Sequence, residues 1–72
     1  MNGMVKANNE NRLCIREGAK IRLNRAYGTG VKYFVCYLSK GFCLIADCKR
    51  DFREGMGDIH SIYNIEAFEA CA

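Results

Sequence analysis

The sequence has no proline, a single histidine and no long uninterrupted run of apolar residues. The absence of proline is unusual for a loop-rich fold. Charged residues interrupt every apolar stretch, which excludes a membrane-spanning helix and a membrane partner. Residues 1–12 are polar and rich in asparagine, without the charged start, apolar stretch and cleavage site of a secretory signal. These absences favour a cytoplasmic protein.

The length of 72 residues allows one hydrophobic core and therefore one domain. Apolar residues make up 50% of the chain and charged residues 26%, so the composition is too apolar for intrinsic disorder. In so short a chain, the burial of apolar surface barely exceeds the loss of conformational entropy. Natural domains of this size therefore often add disulfides, a metal ion or a partner subunit.

Five cysteines are present, an odd number, and several fall inside apolar, strand-like runs. Reduced and mostly buried thiols fit this placement best. Structural zinc sites use cysteine or histidine pairs two to four residues apart, and no pair here has that spacing. The sequence therefore predicts no metal and no cofactor. The cysteines are Cys14, Cys36, Cys43, Cys48 and Cys71.

The two ends of the chain differ in charge. Residues 1–50 contain ten lysines and arginines against three acidic residues, whereas residues 51–72 contain one arginine against five acidic residues. A basic surface attracts nucleic acid or acidic proteins. The same distribution is equally compatible with an acidic C-terminal segment that packs over the basic strands.

Alternation of polar and apolar residues predicts short strands over residues 12–16, 19–23 and 59–65. Residues 1–11 have little apolar surface to bury and are predicted to form a flexible arm, so that residues 12–72 are the single β domain. Residues 24–30 and 48–58 are predicted loops. Residues 65–72 contain good helix formers and predict a short C-terminal helix, with a strand as the alternative.

The strongest local prediction is a β-hairpin over residues 31–47. Ser39, Lys40 and Gly41 form a three-residue loop that ends in glycine, a common hairpin connection. The loop length sets a register that makes both faces apolar. One face is predicted to fill the core, and it contains Phe34, Cys36, Leu38, Phe42, Leu44 and Ala46. The other face needs a second cover, and it contains Tyr33, Val35, Tyr37 and Ile45.

Four or five short strands around one tight hairpin predict a mainly β fold, either a small antiparallel barrel or a strongly bent sheet. The basic strand, the glycine-rich loop and the central hairpin resemble the layout of small SH3-like barrels. Folds of this layout host many unrelated functions, so the resemblance implies an architecture and no activity.

Motifs for catalysis are missing. A reactive thiol needs an electropositive, partly exposed setting, and only Cys48, beside Lys49 and Arg50, has one. No motif surrounds Cys48 or the single imidazole of His60. The Gly28-Thr29-Gly30 segment precedes a strand and lacks the lysine of a phosphate-binding loop. The sequence therefore predicts a protein that is not an enzyme.

Two functional hypotheses remain. The first is a homo-oligomeric interaction protein, because a second subunit supplies the burial that a short chain lacks. Its contacts are predicted at Tyr33, Val35, Tyr37 and Ile45. The alternative is binding of single-stranded DNA or RNA, which combines basic residues with aromatic platforms. Its contacts are predicted at Lys20, Arg22, Arg25, Tyr27 and Lys32.

Overall fold

Six short strands form one antiparallel sheet in the computed structural model, which describes residues 3–70. The strands are β1 (Met4–Lys6), β2 (Lys20–Leu23), β3 (Lys32–Tyr37), β4 (Phe42–Ala46), β5 (Asp58–Ser61) and β6 (Ile65–Glu69). One short helix, α1 (Lys49–Arg53), follows β4. Single 3₁₀ turns lie at Asn11–Cys14, Arg25–Tyr27, Ser39–Gly41 and Ile62–Asn64.

The strand order is β1-β6-β2-β3-β4-β5, with β1 and β5 at the two edges. The prediction of a small, mainly β fold is confirmed. The predicted number of four or five strands is too low, since there are six, and the sheet is not closed into a barrel. The predicted strand over residues 12–16 is wrong, because a 3₁₀ turn forms at Asn11–Cys14. β1 lies in the segment predicted as a flexible arm, and β6 lies in the segment predicted as a short helix with a strand as the alternative.

The N-terminal segment pairs with the sheet. Val5 of β1 lies opposite Phe68 of β6, and the Ala7 N–H donates to the Glu66 carbonyl at 2.8 Å. Beyond β1, the Asn8 side chain accepts from the N–H of Asn11 at 2.8 Å. Asparagine side chains often close their own backbone turns in this way. Asn8 and Asn11, which belong to the segment predicted as a flexible arm, therefore build an ordered turn.

Residues 65–69 form a strand, which was the alternative prediction for this segment, and not the predicted helix. Ile65 and Phe68 are both buried, a spacing of three that is typical of one face of a helix. A register shift opposite Arg22 and Leu23 leaves Glu66 as an extra residue, so both apolar side chains reach the same face of the sheet. Pairing with β1 and β2 therefore overrides the local helix preference.

The predicted loop over residues 48–58 contains α1. The Cys48 thiol accepts from the Asp51 N–H at 3.5 Å and caps the first turn of the helix. The Phe52 ring lies against Gly18, with 3.2 Å between its Cζ atom and the place that a Cβ at Gly18 would take. This contact holds the helix close to the loop that precedes β2.

The hairpin forms as predicted near its loop and slips by one residue further away. Gly41 has the expected left-handed conformation (φ 80°), and Cys36 lies opposite Leu44 as predicted. A β-bulge then falls at Val35, so Phe34 pairs with Ile45 instead of Ala46. A bulge places two residues of one strand opposite one residue of its neighbour and reverses the faces beyond it.

This bulge decides which side of the hairpin is buried. Phe34, Cys43 and Ile45 are at most 1% exposed and share the inner face, which is the face that contacts the core. The opposite, outer face carries four residues that were predicted to fill the core, namely Cys36, Leu38, Phe42 and Leu44. Of the predicted core set, Phe34 and Ala46 are buried. The core consists of Ala7, Ile15, Ala19, Ile21, Leu23, Phe34, Cys43, Ile45, Ile62, Ile65 and Phe68.

The sheet bends strongly over its inner face. In a flat sheet the strands β2 and β5, three spacings apart, would be separated by about 14 Å. Tyr27, in the turn after β2, nevertheless contacts His60 of β5, with ring centroids 5.1 Å apart and an edge-to-face angle of 83°. The bend lets one sheet enclose its own core without a second layer.

Candidate interaction surfaces

The outer face of β3, β4 and β5 carries an uncharged apolar surface, which we call the outer patch. Its residues are Cys36, Leu38, Phe42, Leu44 and Ile59. Cys36, Leu44 and Ile59 form one row, because Leu44 lies opposite Cys36 on β3 and opposite Ile59 on β5. Phe42 is 46% exposed and Ile59 66% exposed. Such exposed apolar clusters mark contact sites for other molecules.

The four residues predicted for self-association do not form one face. Ile45 belongs to the core, and Tyr37 turns its ring towards Phe34, with 4.7 Å between ring centroids. Val35 is the half-buried bulge residue, and Tyr33 lies half-buried on the outer face opposite Ala46. The structure therefore removes Ile45 from the predicted surface, whereas Tyr37 stays 40% exposed.

The Tyr37 hydroxyl lies between two backbone groups. It donates to the Arg12 carbonyl and accepts from the Ile15 N–H at 2.9 Å. Burial raises the pKa of Tyr37, against the opposing effect of the hydrogen bond from Ile15. The Tyr37 side chain joins the turn Asn11–Cys14 to β3, although the residue is 40% exposed.

The five residues predicted for nucleic-acid binding fall into separate places. Lys20 and Arg22 are exposed on the outer face of β2. Arg25 and Tyr27 lie in the turn that contacts His60, and Lys32 forms an ion pair with Asp47 at 2.7 Å. The structure therefore brings Lys20 and Arg22 together on β2, with Arg25 and Tyr27 in the turn that follows. Lys32 lies on the neighbouring strand β3, opposite Ile21.

The acidic C-terminal strand lies beside the basic strand β2. Glu69 of β6 accepts from the Lys20 N–H at 3.4 Å, and Ala67 lies opposite Arg22. Within residues 3–70, however, no side-chain ion pair joins β6 to β2. The acidic segment reduces the net charge around β2 and leaves its basic side chains exposed.

A groove of about 730 Å³ opens at the β1 end of the sheet. It is lined by Met4, Lys6, Ala7, Arg12, Arg22, Glu66 and Ala67. Three of these side chains are basic and one is acidic. Sequence reasoning missed Lys6 and Arg12. Lys6 lies in the segment that was predicted as a flexible arm. Arg12 is held by the carbonyl of Ile65, more than fifty residues along the chain.

The thiols differ widely in their surroundings. Cys43 is fully buried, and burial together with nearby Cys36 raises its pKa to about 11. Cys14 and Cys48 are exposed, so the prediction of mostly buried thiols holds only in part, and Cys71 lies outside the described residues. Within residues 3–70, no group of three or more metal-ligating side chains is close enough to hold an ion.

Comparison with known proteins gives no relative: no protein-family model, no curated protein and no solved structure matches this chain. No helix in the described part of the chain is long and apolar enough to cross a membrane.

Proposed function

We propose that this protein is a non-enzymatic interaction protein that self-associates through the outer patch. The observation that carries the proposal is the row of Cys36, Leu44 and Ile59, which continues to Phe42; Cys36 and Leu44 are half-buried, and Ile59 and Phe42 are exposed. An apolar surface of this kind gains free energy when it leaves water, and Ile59 alone is 66% exposed.

A second copy of the chain fits this surface for two reasons. The outer patch carries no charge, so two copies meet without like-charge repulsion across a twofold axis. The chain has only 72 residues, and burial of the patch adds to a small core.

The exposed thiol of Cys48 suits the reducing conditions of the cytoplasm, where we expect the protein to act.

The expected dimer is weak. The patch contains five side chains, whereas a standard interface involves about 20 to 30 residues on each partner. Full burial of a leucine, isoleucine or phenylalanine side chain contributes about 1.5 to 3 kcal/mol, and the loss of translational freedom opposes it. We therefore expect a dissociation constant on the order of micromolar.

Sedimentation velocity over a hundredfold dilution tests the proposal. The wild-type protein is expected to change from dimer to monomer over this range, and Ile59→Ser to weaken the dimer by about tenfold. Leu13→Ser is the matched control, because Leu13 is 72% exposed but lies in the turn Asn11–Cys14. Circular dichroism checks that both variants are folded.

Two results would overturn the proposal. One is a wild-type protein that stays monomeric at every concentration. The other is an equal weakening by Ile59→Ser and Leu13→Ser, which would show that general surface apolarity, and not the outer patch, drives association.

Single-stranded nucleic acid is the second candidate partner, and one observation favours it. Lys20 and Arg22 are exposed side by side on β2, and Lys20 lies opposite the aromatic Tyr33. Fluorescence anisotropy with labelled single-stranded DNA and RNA tests this candidate, with Lys20→Gln expected to weaken binding and to reduce its salt dependence. Absence of salt-dependent binding at low ionic strength would reject it.

A further inference from the structure

The groove at the β1 end of the sheet is built around a small residue between two basic ones. Ala67 of β6 lies opposite Lys6 on β1 and opposite Arg22 on β2. The three residues form a row across three strands, in which the alanine is the floor. Two strand spacings place the Lys6 and Arg22 backbones about 10 Å apart, a distance that the two side chains can bridge around one phosphate group.

A third cation, Arg12, is already held in position. Its Nε and Nη2 atoms donate to the Ile65 carbonyl at 3.2 and 3.1 Å, and Nη1 donates to the Asn9 side chain at 3.3 Å. The guanidinium also lies 5.7 Å from the centre of the Tyr63 ring. A guanidinium has five N–H groups, so these three bonds leave two for a ligand. Because the side chain is already ordered, little rotamer entropy is lost when a ligand binds.

The charges around the groove favour a dianion. Lys6, Arg12 and Arg22 line it together with one carboxylate, Glu66. Within residues 3–70, no ion pair within 4.0 Å involves any of these four side chains. The three cations and one anion give a local charge of about +2 in a setting where the cations are not neutralised by direct contact.

We propose that this groove binds the phosphate group of a small phosphate monoester. Arginine and lysine donors match the phosphate oxygens, and Met4, Ala7 and Ala67 supply apolar surface for the body of the ligand. The volume of about 730 Å³ lies in the range of small-molecule sites. Lys6, Arg12 and Arg22 line one groove together with apolar side chains, which favours a small molecule over a nucleic-acid strand.

The site is separate from the outer patch. The groove lies at β1, β6 and β2, whereas the patch lies on β3, β4 and β5. Binding of a phosphate monoester therefore does not depend on self-association, and either proposal is able to fail without the other.

Phenyl phosphate is the probe for the test, and NMR titration of the full chain is the measurement. We expect saturable shifts at the amides of Lys6, Arg22 and Ala67, and weaker binding of inorganic phosphate, which lacks an apolar body. Arg22→Gln should weaken binding about 3- to 10-fold by removal of a charged donor. Glu66→Gln should strengthen it about 2- to 5-fold, because the opposing charge is lost.

Two control variants separate the groove from general charge. Arg25→Gln removes the same charge from the turn Arg25–Tyr27, outside the groove, and should leave binding unchanged. Ala67→Leu fills the floor without a change of charge and should abolish binding while the sheet stays folded.

Three results would overturn the proposal. These are no saturable binding of phenyl phosphate up to about 10 mM at low salt, an equal loss in Arg22→Gln and Arg25→Gln, or saturable binding of a single-stranded oligonucleotide without binding of phenyl phosphate. The last result would assign Lys6, Arg12 and Arg22 to a nucleic-acid surface.

Discussion

At the scale of single residues, the Tyr37 hydroxyl shows how one polar atom joins a turn to a strand. Its hydroxyl meets the Arg12 carbonyl and the Ile15 N–H, and its ring packs against Phe34 on the inner face. The sequence indicated only an aromatic residue on one side of an apolar hairpin. The backbone partners come from more than twenty residues earlier in the chain, and local patterning carries no signal for them.

The first prediction concerns this hydroxyl. Tyr37→Phe should lower the free energy of unfolding by about 1 to 2 kcal/mol, because the Ile15 N–H and the Arg12 carbonyl each lose a partner. Urea unfolding measures the change. Tyr63→Phe is the control, since Tyr63 is 66% exposed, and it should change stability by less than about 0.5 kcal/mol. Equal effects of the two substitutions would contradict this role of Tyr37.

The second prediction concerns the buried thiol of Cys43. Its pKa is raised from 9.0 to about 11, so the fold favours the neutral thiol. This contribution to stability is fully present below pH 9 and is lost as the pH rises through 11. The loss approaches about 2 to 3 kcal/mol at one to two pH units above the folded pKa.

Urea unfolding at several pH values between 8 and 11 measures this loss. Cys43→Ala is the control, because it removes the titrating group and should give a flatter dependence of stability on pH than the wild type. Identical slopes for the two proteins would show that other groups, such as Tyr37, account for the alkaline instability.

At the scale of elements, the hairpin loop was predictable from its local sequence, whereas the hairpin bulge and the C-terminal strand depend on neighbouring strands. The loop of residues 39–41 was predicted correctly because glycine at its last position meets a local need for the left-handed conformation. The bulge at Val35 was missed, and the strand β6 was predicted only as the alternative to a helix. Both depend on neighbouring strands, since β6 is ordered only by pairing with β1 and β2.

The third prediction tests how closely the loop before β5 packs against β4. A Cβ atom at Gly57 would lie 2.4 Å from the Ile45 carbonyl oxygen, so Gly57→Ala forces the loop before β5 away from β4. We expect a loss of about 1 to 3 kcal/mol in thermal unfolding. Gly30→Ala is the control, because a Cβ there meets nothing within 4 Å, and it should be neutral or slightly stabilising. A neutral Gly57→Ala would contradict this close approach of β5 and β4.

At the scale of the whole molecule, the single bent sheet sets two surfaces apart. Its inner face is buried in the core, and its outer face carries the outer patch at one end and the basic groove at the other. Both surfaces combine residues from three strands. Neither surface is contiguous in sequence, so the sequence pattern indicated only some of the residues of each surface.

The fourth prediction concerns the distribution of stability across the sheet. Amide exchange, measured below the concentration of self-association, should be slowest in the four central strands β6, β2, β3 and β4. The edge strands β1 and β5 should exchange faster at amides that face away from the sheet. Equal protection of β5 and β3 would contradict the strand order, because it would require a neighbour for β5.

The sequence by itself determined a mainly β fold, the hairpin with its glycine loop, and the apolar character of both hairpin faces. These features follow from local conformational preference and from alternation, which act over a few residues. Only the tertiary structure decided that Cys43 and Ile45 face the core while Phe42 and Ile59 face outwards. The bulge at Val35 and the pairing of β1 with β6 determine which faces are buried. Both depend on contacts with other strands, which the local sequence pattern does not specify.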